Sequence, residues 1–262
     1  MTIHKAKRLL AGLLCLTLLP TFAHAQSPER MEEIGKLLLE KLERELGPDS
    51  TGTAFFLIRQ AGYIQAQGRY AEAEHLYERA LVIVEKAWGS DHPGVAEYVN
   101  GLAELYHDQG RYAEAEPLYE RALAIRENAL EPDHPDVAVS LNNLGELYRV
   151  QGRYAEAESF HKRALAIREK EFLPDNPRTA HSLHNLAGLY QAQGRYAEAE
   201  PLYLRALAIW EKSLGPDLLY EALSLENYAA LLRTTGRVPE ALKMEARAKA
   251  LRAKYAKETA TK

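Results

Sequence analysis

Gly110-Arg111-Tyr112-Ala113-Glu114-Ala115-Glu116 is one of four identical heptapeptides in this chain. The others begin at Gly68, Gly152 and Gly194, so the interval is 42 residues throughout. A divergent fifth copy, Gly236-Arg237-Val238-Pro239-Glu240-Ala241-Leu242, keeps the spacing. A fixed period in this range marks a stacked array of supersecondary units, each burying its apolar face against its neighbours. Such arrays display long binding surfaces rather than catalytic pockets. The period therefore bears on how the protein binds and leaves open what it binds.

A second landmark recurs out of phase with the first. It reads Gly47-Pro48-Asp49, Gly89-Ser90-Asp91-His92-Pro93, Glu131-Pro132-Asp133-His134-Pro135, Leu173-Pro174-Asp175-Asn176-Pro177 and Gly215-Pro216-Asp217. Two breaker clusters thus alternate, and each interval between them has room for one helix. The intervals are helical by period: Ala115, Leu118, Tyr119, Ala122 and Leu123 follow the i, i+3, i+4, i+7, i+8 rule. Leu141, Leu144, Gly145 and Tyr148 share one face in the same way. Gly68, Gly110, Gly152 and Gly194 fit the position just past a helix, where the chain turns left-handed. Pro93, Pro135 and Pro177 fit the first helical position, with His92, His134 and Asn176 before them as helix-start residues. Glu114 and Glu116, with their repeat equivalents, place negative charge near the first turn of each second helix, where the helix dipole favours it.

Each unit therefore reads as helix A, a Gly-Arg-Tyr turn, helix B and a Pro-Asp turn. This resembles the tetratricopeptide repeat (TPR). The family pattern is matched by Leu183, Leu186, Ala187, Tyr190, Ala199, Tyr203 and Ala206, and by Leu141, Leu144, Gly145, Tyr148, Ala157, His161 and Ala164. The usual TPR unit has about 34 residues, so these units are longer by roughly two helical turns. Long units with the Pro-Asp-His-Pro turn and the run Ala122 to Glu127, repeated at Ala164 to Glu169, are similar to the TPR repeats of kinesin light chains. The resemblance covers residues 51 to 249. It implies a right-handed all-α solenoid whose A helices line a concave, ligand-binding face.

The first 25 residues belong to another class. Lys5, Lys7 and Arg8 precede the apolar run Leu9 to Leu19, and Ala23-His24-Ala25 offers a cleavage site before Gln26. This is the tripartite pattern of a secretory signal peptide. The apolar run is short for a membrane span, so cleavage rather than anchoring is expected. Leu14 before Cys15 argues against a lipoprotein site. Cleavage removes the chain's one cysteine, leaving packing to hold the fold without disulfides. Losing Lys5, Lys7 and Arg8 takes the formal charge from −4 to −7. A mildly acidic surface does not suit a nucleic-acid groove or an anionic membrane.

Two further segments are expected to close the array. Met31 to Leu46 is amphipathic and in phase as an unpaired helix B, an N-terminal cap. The last helix, from about Pro239, carries Lys243, Arg247, Lys249, Arg252, Lys254 and Lys257 on a face suited to water. The tail after Lys257 is expected to be disordered.

No phosphate loop, nucleophile elbow or His-Glu-x-x-His motif occurs. His181 and His184 lie three apart on one helix, but two ligands without a third make a poor metal site. The 42-residue ladder Arg79, Arg121, Arg163, Arg205 and Arg247 is expected to pair with carboxylates rather than form a basic track. Trp88 and Trp210 are read as packing residues. No catalytic residue, cofactor or metal site is assigned.

The candidate binding residues lie on helix A. Mapped from the family's ligand-contacting positions, they are Asn100 and Asn142, then His184 and Glu226; beside them Arg59, Asn143, Asn185 and Asn227; and one turn on Glu104 and Glu146, then Gln65, His107, Arg149, Gln191 and Arg233. Asn is a mediocre helix former. Its amide offers a donor and an acceptor, as a peptide bond does. A row of asparagines suits an extended peptide held by its backbone, and the same row also suits bonding between neighbouring helices. Arg149 and Arg233 beside Glu104, Glu146 and Glu226 leave the ligand's charge open.

The expected architecture is thus a signal peptide (1–25), an N-terminal capping helix (26–50) and units at 51–92, 93–134, 135–176 and 177–218. A fifth unit with its capping helix and polar tail follows at 219–262. The expected role is a non-catalytic scaffold or adaptor, periplasmic or secreted, that holds a protein or peptide partner. The alternative is an envelope holdase for unfolded exported chains. Neither nucleic-acid binding nor stable membrane insertion after cleavage is expected.

Overall fold

The computed structural model describes residues 28–172, 175–212 and 218–260. The expected signal peptide, Leu173-Pro174 and the turn at Gly215-Pro216-Asp217 lie outside the described residues. Eleven α-helices and no strand occur among the described residues. They are α1 (Pro28–Leu46), α2 (Thr51–Gln65), α3 (Tyr70–Trp88), α4 (Val95–Asp108), α5 (Tyr112–Ala129), α6 (Pro135–Val150), α7 (Tyr154–Glu171), α8 (Pro177–Ala192), α9 (Tyr196–Lys212), α10 (Leu218–Thr234) and α11 (Val238–Ala260). The tail after Lys257 was expected to be disordered; instead α11 runs on to Ala260, because no glycine or proline interrupts a run of good helix formers.

Two compact units divide the chain: residues up to Gly89 with those from Ala256, and Ser90–Tyr255. In the first, α1 packs on α2, and α2 pairs with α3 as a hairpin. In the second, α4 pairs with α5, α6 with α7 and α8 with α9, and the first helix of a hairpin also packs on the second helix of the one before. Arg233 and Arg252 tie α10 to α11 through Glu245 and Glu226, each at 2.7 Å. One apolar cluster runs through this second unit from Ala103 to Ala248. Ala138, Ala157, Ala164, Ala187 and Ala199 are fully buried where helices meet, and Leu141, Leu147, Leu189 and Tyr203 fill the space between. Small side chains there let the backbones approach; the large ones restore density.

The turns follow from the heptapeptide. Gly152 takes φ +76°, which a side chain would oppose. The Arg153 amide then donates to the Tyr148 carbonyl and the Gly152 amide to that of Arg149, which is the Schellman closure. At the other turn, His134 and Asn176 accept from Asp136 N and Arg178 N and cap α6 and α8, with Pro135 and Pro177 in the first turn. Pro93 departs from this. Helix α4 starts at Val95, because Val95 and Ala96 first close short bonds to His92 and Pro93. Of the tryptophans, Trp210 is buried as expected, whereas Trp88 at the end of α3 is 40% exposed.

The arginine of the heptapeptide explains why that segment is invariant. Arg153 grips Glu156 with Nε at 3.0 Å and Nη2 at 2.5 Å, and lies 3.9 Å over the Tyr148 ring. Its Nη1 reaches back to Glu116 on α5. Arg195 repeats the clasp on Glu198, Tyr190 and Glu158, and Arg237 does so on Glu240 and Glu200. In the first unit Arg69 joins Glu72 to Glu32 of α1, so α1 presents the acid that a helix B presents elsewhere. The second ladder pairs with carboxylates, as read from the sequence: Arg79 with Glu43, Arg163 with Glu127, Arg205 with Glu169 and Arg247 with Glu211. Lys86, Lys170 and Lys212 take the turn aspartates Asp49, Asp133 and Asp175. Water screens each of these pairs, so they fix register between repeats more than they add stability.

Candidate functional site

Arg59 and Gln65 lie on α2 of the first unit; the other candidate residues fall on α4, α6, α8 and α10 of the second. On α4, Asn100 donates to Glu104 Oε1 at 2.7 Å. From α6, Asn143 donates to Asn100 Oδ1 at 2.8 Å and to Glu104 Oε1 at 3.2 Å. Glu104 keeps an edge open to water, but protein atoms crowd it. Burial pushes its carboxyl up, and the two amides pull it down. One turn on, Arg149 holds both Glu146 oxygens at 2.6 and 2.7 Å.

Asn142 does not face a ligand. It is buried, donates to Ser182 Oγ at 2.8 Å and lies 3.0 Å from His161 Nδ1. With the amide donating to Ser182, Asn142 Oδ1 is the acceptor, so His161 carries its proton on Nδ1 and leaves Nε2 buried without a partner. Burial lowers the His161 imidazole to about 4. Asn142 was mapped to the ligand face from sequence; the structure turns its amide inward because α8 offers a small Ser182 at the crossing.

On α8, His184 packs edge-on against Tyr203 and Trp210, with ring centroids at 5.7 and 5.9 Å. Its Nε2 meets Asn227 Nδ2 of α10 at 3.4 Å. Burial and the neighbouring His181 lower it to about 4, so it is neutral at neutral pH. His181 packs edge-on against Trp210 and Tyr220. Among the described residues, no group of three metal-ligating side chains converges. Gln191 accepts from the Tyr203 hydroxyl at 2.8 Å. Asn185 is partly exposed, and its side-chain amide makes no hydrogen bond to the described residues. Glu226 and Arg233 are held by Arg252 and Glu245.

The family model described as tetratricopeptide repeat matches residues 52–128, 97–170 and 178–254, together well over half of the sequence. The chain belongs to the tetratricopeptide repeat family. Among solved structures it is similar to "kinesin light chain nearly identical TPR-like repeats" from Podosopora anserina, at 29% identity, over 76% of this chain and 94% of that one, with a TM-score of 0.60. BtubC (BKLC) from P. vanneervenii shares the fold at 23% identity, over 90% of each chain, with a TM-score of 0.63. So does Pseudomonas aeruginosa pilF at 19% identity, over 94% of this chain and 91% of that one, with a TM-score of 0.58. No curated protein matches the chain. The repeats are of the kinesin light chain type, and TPR repeats of this kind mediate protein–protein contact. No helix among the described residues is long and apolar enough to cross a membrane.

Two features of this TPR array were not read from the sequence. The first is the arginine clasp, visible as an Arg–Glu spacing of three within the heptapeptide and 37 across repeats. The second is a column of small hydroxyls at 42-residue spacing, Ser140, Ser182 and Ser224, all fully buried. Ser140 accepts from the buried Arg126 at 2.6 Å, and Ser182 accepts from Asn142. Aligning the repeats and asking which core positions are polar would have found that column.

Proposed function

We propose that this TPR protein is a non-catalytic adaptor that holds an extended segment of a protein partner along α4, α6, α8 and α10. The observation that carries the reading is the row of partly exposed amides, Asn143, Asn185 and Asn227, on successive A helices. The Asn185 side chain spends neither its donor nor its acceptor on the described residues, and the Asn143 side-chain oxygen likewise accepts nothing from them. Such amides pair with peptide backbone without demanding a side chain. The ionic groups around them are mostly neutralised in pairs, as at Arg149–Glu146 and Arg252–Glu226. That favours recognition by shape and backbone over a strong charge preference.

We further propose that residues 1–25 direct export and that the working protein begins at Gln26, in the periplasm or outside the cell. N-terminal sequencing of the protein recovered from the cell envelope tests this; an intact Met1 would refute it. Crosslinking pull-down from that compartment, with the Asn143→Ala, Asn185→Ala double variant as control, tests the adaptor reading. One dominant partner that is lost in the variant supports it. Many unrelated unfolded clients would favour a holdase instead.

A further inference from the structure

We infer that the junction of α4 and α6 holds one cationic side chain of the bound segment, a lysine ammonium or an arginine guanidinium, between the Glu104 carboxylate and the Tyr119 hydroxyl. The inference rests on the adaptor reading and adds to it the charge the partner must present at one point.

The junction is rich in acceptors that no donor among the described residues satisfies. Glu104 Oε1 takes both amides, from Asn100 and Asn143, while Oε2 accepts nothing from the described residues. The carbonyl oxygen of Asn143 likewise accepts nothing from them. Tyr119, only 3% exposed, makes no hydrogen bond to them through its hydroxyl. Its counterparts behave differently: Tyr77 and Tyr203 donate to Gln65 and Gln191 at 2.9 and 2.8 Å. The difference is local, because His107 stands where the repeats of Tyr77 and Tyr203 have that glutamine, and it packs its ring on Tyr112.

The field around the hydroxyl is negative. Burial, then Glu104, Asp108 and Glu146, all hold the Tyr119 proton in place. The cations in reach are committed. Arg126 is buried and donates to Ser140, and Arg149 spends two donors on Glu146. Three open acceptors in a negative field select a group with several donors and a positive charge. A lysine ammonium brings three donors to such a set. The arrangement does not recur along the array. One repeat on, His161 replaces the tyrosine and Arg149 neutralises Glu146; two repeats on, Gly188 replaces the glutamate. The array therefore has one cationic subsite and not a charged track.

The test uses fluorescein-labelled ten-residue peptides of Ala, Ser and Asn that differ only at a central Lys, norleucine or Glu. Each is titrated against the purified protein and its Glu104→Gln and Tyr119→Phe variants. The Lys peptide should bind about tenfold more tightly than the norleucine peptide, and added salt should shrink the gap. Glu104→Gln should abolish that advantage and Tyr119→Phe should reduce it, each read as the ratio of Lys to norleucine affinity within the one variant. Equal affinity of the wild type for Lys and norleucine, or an advantage that survives Glu104→Gln, overturns the inference and leaves the adaptor reading standing. Failure of all three peptides to bind the wild type overturns both.

Discussion

His161 packs its imidazole directly on Gly145: a β-carbon placed on that glycine would lie 2.7 Å from Cε1 and 2.8 Å from both ring nitrogens. The second and fourth repeats have Ala103 and Ala187 at the glycine position and Tyr119 and Tyr203 at the histidine position. The third repeat has thus changed both partners of one contact. A ring that lies close in leaves no room for a methyl, and Asn142 prevents it from swinging away.

The first prediction concerns that contact. Gly145→Ala should destabilise the protein even though alanine is the better helix former, because overpacking a locked core position costs about 1–3 kcal/mol. Urea titration measures the loss, and hydrogen exchange should place it on α6 and α7. A variant as stable as the wild type would mean that His161 is free to move.

Stability should also depend on pH through the same ring. His161 is neutral when folded, with its pKa lowered to about 4, and titrates near 6.5 when unfolded. Its contribution is complete above pH 6.5 and is lost as pH falls toward 4, because the unfolded chain then binds the extra proton. For a fully buried ring that shift corresponds to ~3 kcal/mol. His184, lowered in the same direction, adds to the trend. Melting curves between pH 7 and pH 4.5 should show the decline, and His161→Gln should flatten it even if the variant is less stable throughout.

Neighbouring asparagines should behave oppositely. Asn142→Ala leaves Ser182 and His161 without their partner in the core and should cost about 1–3 kcal/mol. Asn185→Ala, on an amide with no partner among the described residues, should leave the melting temperature unchanged or slightly higher while weakening partner binding. Thermal melts and binding assays on the same samples separate the two. Loss of stability at Asn185 would make that amide structural.

The clasp predicts a local effect. Arg153→Lys keeps the charge but not the fork or the planar face that lies on Tyr148. Hydrogen exchange should quicken at the α5–α7 junction and stay unchanged at Arg195 and Arg237. Uniform acceleration along the second unit would mean that the repeats do not behave as neighbour-coupled blocks.

The fold was legible because one block of sequence is written several times, so each breaker and each apolar face could be checked against its copies. The ends of the helices were legible for the same reason, except at Pro93, where Gly94 lets the chain turn once more before α4 begins. The binding face was harder to read. Asn142 and Asn143 are adjacent and chemically identical, yet one is buried against Ser182 and the other is half open. Their positions on helix A separate them by about 100°, and only the placement of α8 decides which of the two meets it. Trp88 and Trp210 were equally ambiguous, because a tryptophan near a helix end is covered only if the neighbouring element reaches it.

The arginine clasp has a consequence for how such a chain can change length. The blocks at 135–176 and 177–218 each carry the glutamate that the next block grips and the arginine that grips the block before. An in-frame duplicate of one 42-residue block would find both partners waiting and would need no compensating substitution. The junction of α4 and α6 and the amides of α8 lie off that clasp, free to diverge. Reach along a partner and preference for its side chains can therefore be inherited separately, the one by copying and the other by point substitution.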